Sequence, residues 1–244
     1  MKEVFEYIAR KSSEFTRHPL FTYLRDSSVD PLERLRFVPS SVHFVMTFAD
    51  LYHFGLVEPK PRDRFEELAN LHLSEEATHW KWFLADLSNL DLDPQMRFTD
   101  AVRFIWSDHS AKTRALAYEI CKLSAGLRSV HKLVMVQSIE ATGRVALESA
   151  VPAGREAAAR LGRNLVYFGA LHLETERAHT LEEGSVHHSL EEIVLDDSTR
   201  VELHAIVDQV FKHFEGFVDE GLRYAREQRT IGETAREARA AAQA

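Results

Sequence analysis

Leu71-His72-Leu73-Ser74-Glu75-Glu76-Ala77-Thr78-His79 and Leu171-His172-Leu173-Glu174-Thr175-Glu176-Arg177-Ala178-His179 read alike, as Leu-His-Leu-x-x-Glu-x-x-His. In each copy His, Glu and His stand at i, i+4 and i+7, which is one face of a helix. That face should belong to the core. In the first copy the apolar stripe runs Phe65, Leu68, then His72, Glu76 and His79, then Phe83. In the second it runs Leu161, Leu165, Phe168, then His172, Glu176 and His179. Steps of three and four pass through the polar residues without a change of phase. A carboxylate placed in a core without a partner is costly. Two such faces turned toward each other become reasonable around metal ions, which supply the missing positive charge.

Glu140 adds a third helix to this pattern. Its stripe neighbours are Leu133, Val136 and Leu147, so it too takes a core position, and Gly143 one turn on leaves room beside it. A lone Glu-x-x-His is common on exposed helices, a lone core His is usually hydrogen-bonded, and Glu140 alone reads equally as an ion pair with an Arg. The doubled pattern on two apolar stripes is what favours metal. Carboxylate oxygen mixed with imidazole nitrogen suits iron, with manganese as the alternative, and the near absence of cysteine argues against a thiolate zinc site.

Working outward from these stretches, the chain reads as all-α. Helices are expected over 2–16, 31–52 with a kink or split at Pro39, 62–87, 96–106, 113–150, 155–183 closed by Gly184, and 198–229. Breaks are expected at Gly55–Pro61, Asn89–Pro94, Ser107–Ser110 and Pro152-Ala153-Gly154. Nothing alternates with a period of two over a useful length, so no sheet is assigned. Composition does not change along the chain, which gives one domain over 1–229 and a tail, 230–244, expected to fray.

The bulk numbers narrow the partners. With 244 residues and 45% hydrophobic composition the chain can bury a sizeable core. Its formal net charge of −8 and lack of a basic cluster exclude a nucleic-acid partner. One cysteine, Cys121, cannot form an internal disulfide and reads as a small core residue. No apolar signal segment or membrane span is read, so the expected setting is cytoplasmic, with no membrane partner. A homodimer is compatible with this reading.

The order Glu140, then His172-x-x-x-Glu176-x-x-His179, preceded by Glu76-x-x-His79, resembles the haem-oxygenase-like di-iron oxidases and oxygenases. That family shares the helical fold of haem oxygenase and the thiaminase-type proteins but holds non-haem metal. Its motif has Asp where this chain has Glu176. His18-Pro19-Leu20-Phe21 is similar to the superfamily's His-Pro-Phe type segment, and the resemblance covers Pro19 to Glu183. The same Glu-x-x-His pair also resembles the ferritin-like four-helix bundles.

The resemblance implies an oxygen-dependent oxidoreductase with two iron ions. It implies dioxygen and a small organic molecule as substrates, and N-oxygenation, oxidative decarboxylation or carbon–carbon cleavage of an amino-acid-like or fatty-acid-like compound. The ligands it implies are His72, Glu76, His79, Glu140, His172, Glu176 and His179. Both families draw a carboxylate from the helix before the first Glu-x-x-His. Here that helix offers His43 and Asp50, and His72 stands where a carboxylate is common.

Overall fold

The computed structural model describes residues 1–175 and 190–242, and the described residues contain helices and no strand. The helices are α1 (Lys2–Phe15), α2 (Pro19–Arg25), α3 (Pro31–Arg34), α4 (Val42–Leu51), α5 (Arg64–Glu76), α6 (His79–Asn89), α7 (Phe98–Ile105), α8 (Ala111–Ser124), α9 (Ser129–Leu161) and α10 (Asp197–Ala242). A 3-10 segment, Leu35–Ser41, joins α3 to α4, and a π turn, Tyr52–Leu56, ends α4. A further helix starts at residue 170 and is described to 175.

Local chemistry explains the starts. Pro19 and Pro31 sit in the first turn of α2 and α3, where a missing N–H is harmless. The Nδ1 atom of His18 accepts from Leu20 N–H at 3.1 Å, and Asp63 Oδ1 accepts from Glu66 N–H at 3.0 Å. Two buried carboxylates cap helices across the fold. Glu220 on α10 accepts the Lys112 and Thr113 N–H groups at the head of α8, at 2.8 and 2.9 Å. Glu66 accepts from Ser129 N–H at 3.2 Å where α9 begins. Each places negative charge at the positive end of a helix.

The long helix α9 is the centre of the assembly. It packs against α1, α2, α5 and α10, while α8 lies between α4 and α10. Leu133, Val134, Met135 and Val136 of α9 meet Val207, Val210 and Phe211 of α10 in one buried apolar cluster.

Several boundaries differ from those expected. Pro19–Arg25 forms α2, which the sequence reading left out. The stretch expected as one helix over 113–150 is interrupted at Gly126, whose φ of +82° is open to glycine but strained for L residues. Conversely Pro152 does not break α9, which runs on to Leu161. The lost hydrogen bond is offset by burial around it: Ala150, Val151, Ala153 and Ala157 are all at most 2% exposed.

The helix expected over 155–183 is therefore two pieces, separated by Gly162 and a loop over 163–169. Leu165 and Phe168 lie in that loop, so they do not continue a helical stripe, although both are buried. The helix expected over 62–87 is also two pieces. It breaks at Ala77-Thr78, with Thr78 at φ −115° and ψ −6°. Thr is a weak helix former, so the break costs little in propensity. Cys121 is exposed on α8 rather than packed in the core. The helix α10 takes in most of the tail, running through Ala242.

Candidate metal centre

Glu76 is the last residue of α5 and His79 the first of α6, so the break falls inside the Glu-x-x-His motif. It turns both side chains to one point. Glu76 Oε2 lies 3.0 Å from His79 Nδ1. His172, from the helix that starts at residue 170, brings its Nε2 to 3.2 Å from the same Nδ1. One ligand atom from each of Glu76, His79 and His172 falls within 4.8 Å of the others, and both imidazoles are buried.

The protonation of this cluster follows from its contacts. His172 Nδ1 is 2.9 Å from the Tyr167 carbonyl oxygen, which only accepts, so Nδ1 carries the proton and Nε2 presents its lone pair to the cluster. The imidazole edge of His79 thus faces a carboxylate and a second nitrogen lone pair. A cation placed there meets three donors of the oxygen–nitrogen mixture that suits iron or manganese, so the residues present fit the expected metal.

Surrounding rings hold the imidazoles in place. Trp82 stacks on His79 with centroids 4.5 Å apart at 18°, and meets His172 edge-on at 5.5 Å and 72°. The Tyr167 ring lies 4.8 Å from His172 on another side.

The Tyr167 carbonyl is itself positioned. Asp86 on α6 is fully buried, and its two carboxylate oxygens accept from Val166 N–H at 2.9 Å and Phe168 N–H at 2.8 Å. Burial pushes the Asp86 carboxyl above the usual carboxylate range, and hydrogen bonds from the Phe168, Val166 and Tyr167 amides oppose this. On the other side of the loop, a Cβ at Gly154 would lie 2.0 Å from the Phe168 carbonyl oxygen, so only glycine lets the loop rest on α9. The sequence reading missed Asp86, yet a signal was present: His79, Phe83 and Asp86 follow one another at steps of four and three on the stripe.

Glu140 lines the same cavity as Glu76, His79 and His172. Its stripe neighbours Leu133, Val136 and Leu147 are buried as expected. His72 is buried but is not one of the three clustered ligands. Its Nε2 pairs with the Gln137 side-chain nitrogen at 2.8 Å, so the amide N–H donates to the imidazole. Neither His43 nor Asp50 lines the cavity. His43 packs against Trp106 and Tyr118, and Asp50 is exposed. Glu176 and His179 lie outside the described residues, as does Gly184.

The cavity has a volume of about 150 Å³. Its polar side is the cluster with Glu140, and Trp80, Phe83, Tyr167 and Phe168 stand beside them. The far wall is aromatic and comes from five other elements: Phe15, Phe21, Phe37, Phe44, Phe48, Phe214 and Phe217. Cys121 does not line it, so a thiol nucleophile has no place in this cavity.

No protein-family model and no curated protein sequence matches the chain. Among solved structures, the chain is similar to a TenA homologue from Pseudomonas syringae pv. tomato. The TM-score is 0.55 with 13% sequence identity, covering 91% of each chain. The fold is therefore the all-helical TenA and haem-oxygenase-like fold.

Proposed function

We propose that the chain is a non-haem di-iron oxidoreductase that uses dioxygen to oxidise a small organic molecule. The observation that carries this reading is the convergence of Glu76, His79 and His172 in a buried cluster open to the cavity that Glu140 also lines. His72, Glu76, His79, Glu140 and His172 would hold the ions together with Glu176 and His179, as the resemblance implies. Bound iron would supply the electrons that dioxygen needs and that the protein's own side chains do not offer. Manganese is the alternative ion.

The protein's part is to hold and to shield. Tyr167 and Asp86 fix the tautomer and direction of His172, which is how residues behind a ligand tune a metal. Phe83, Phe168 and the aromatic far wall keep bulk water from the cluster, where charges interact more strongly in the absence of water. His72 and Gln137 extend the polar contacts between α5 and α9 one turn from Glu76, and His72 remains part of the proposed ligand set.

Oxygen uptake tests this reading. Protein loaded with ferrous iron under anaerobic conditions is mixed with oxygenated buffer containing candidate substrates and ascorbate as electron donor, and uptake is read above a control without substrate. The reading expects catalytic uptake with at least one substrate and its loss in His172→Ala. Uptake that never exceeds the bound iron, across amino acids and fatty acids alike, would leave a metal-binding protein without turnover.

A further inference from the structure

The cavity's walls restrict what can enter it. On the side away from the cluster, most of the described lining residues carry hydrocarbon side chains. Leu20, Leu24, Val45, Ile139 and Val218 line it together with the seven phenylalanines named above. The hydroxyls of Ser41 and Thr142 belong to the lining; that of Thr142 donates to the Ile139 carbonyl at 2.7 Å and is committed to its own helix. Among the described lining residues the only Lys or Arg is Arg144, which is exposed. A second charged or hydrogen-bonding group on a ligand would therefore be stripped of water against aromatic rings.

We infer that the site takes a compact molecule with an apolar body and a single polar end, the body against the aromatic wall and the polar end at the Glu76–His79–His172 cluster. This deepens the proposed function, on which it rests only for the placement of the reacting end. Size sets the second limit. A cavity of about 150 Å³ is on the scale that accepts a benzene-sized molecule. Short alkyl chains and single rings fit that space, whereas amino acids with charged side chains carry charge at both ends.

Neutral probes test the wall without depending on the metal. Hexan-1-ol and hexane-1,6-diol share a chain length and differ in a second hydroxyl, and lysine has charge at both ends of a similar chain. Binding is followed by calorimetry on metal-free protein and on anaerobic ferrous protein, with iron content measured on the same samples. Hexan-1-ol should bind at least tenfold more tightly than the diol or lysine in both forms. Ala146→Phe, at a half-buried lining position, should weaken hexan-1-ol at least tenfold by filling the space. Phe48→Ala, also half-buried, should shift preference toward octan-1-ol.

Equal binding of alcohol and diol, tighter binding of lysine, or an Ala146→Phe variant that binds hexan-1-ol unchanged would overturn the inference. Selective hexan-1-ol binding to protein that takes up no iron would uphold the apolar pocket and defeat the metal reading alone.

Discussion

The Nε2 atom of His172 lies 3.2 Å from Nδ1 of His79, although 93 positions separate the two residues. Two imidazole nitrogens meet this closely in a buried place only if a proton or a cation lies between them. Glu76 adds a carboxylate oxygen 3.0 Å from the same Nδ1. In the metal-free protein one His79 N–H serves both neighbours. A cation at that nitrogen would send the proton to Nε2 of the same ring, while any cluster imidazole or carboxylate that carries an extra proton must lose it, so metal uptake should release protons, more so as the pH is lowered. Uptake in weakly buffered solution with a pH indicator checks this: proton release is expected with wild type and should fall in His79→Ala.

Asp86→Asn keeps the shape of the side chain but replaces an acceptor oxygen with an N–H2 group facing a backbone N–H. Leaving buried groups unsatisfied typically costs about 1–3 kcal/mol. The Tyr167 carbonyl should then drift from His172, and residues that orient a ligand are worth about 10–100-fold in metal affinity. Denaturant unfolding of the metal-free variant and a ferrous titration separate the two effects. Reduced stability with unchanged metal affinity would reduce Asp86 to a fold-stabilising role.

Two glycines of α9 should respond oppositely to alanine. At Gly154 a Cβ would collide with the Phe168 backbone, so Gly154→Ala should destabilise by about 1–3 kcal/mol, as overpacking does. At Gly143 nothing lies within 4 Å of the added Cβ, so Gly143→Ala should stabilise the helix by about 0.5–1 kcal/mol. Thermal melts of the two variants measure both.

His43 predicts a pH effect. Burial, helped by the Arg114 guanidinium, pushes its pKa below the ordinary value of 6.5, so the folded state favours the neutral ring between Trp106 and Tyr118. As pH falls through 6.5 the unfolded chain protonates first, and stability declines until the folded pKa is passed. His43→Phe removes this group, so its melting temperature should fall less between pH 7 and pH 5.5 than that of wild type. Parallel curves would show that His43 does not contribute.

The ligand candidates were legible because they break a rule that stripes otherwise obey. Glu76, His79, Glu140 and His172 occupy apolar positions, and a polar residue there needs a reason. Asp86 obeys the same logic, but its partners are backbone amides 80 and 82 positions away, which no local pattern reveals. Breaks were less legible. Pro152 looked decisive and Gly126 ordinary, because burial around a residue decides whether a weak position ends a helix. The aromatic wall was not legible at all. Its members come from α1, α2, the 3-10 segment, α4 and α10, and only packing brings them together.

The central claim is that this buried cluster, with Glu140, holds two iron ions. Anaerobic ferrous titration followed by elemental analysis tests it most directly, on wild type and on Glu140→Ala and His172→Ala, with helical circular dichroism recorded for each. The account predicts about two ions per wild-type chain, in keeping with carboxylate-bridged bundles, and a sharp loss in both variants with the helical signal intact. Folded wild-type protein that binds no ferrous iron, or variants that bind as much as wild type, would contradict it.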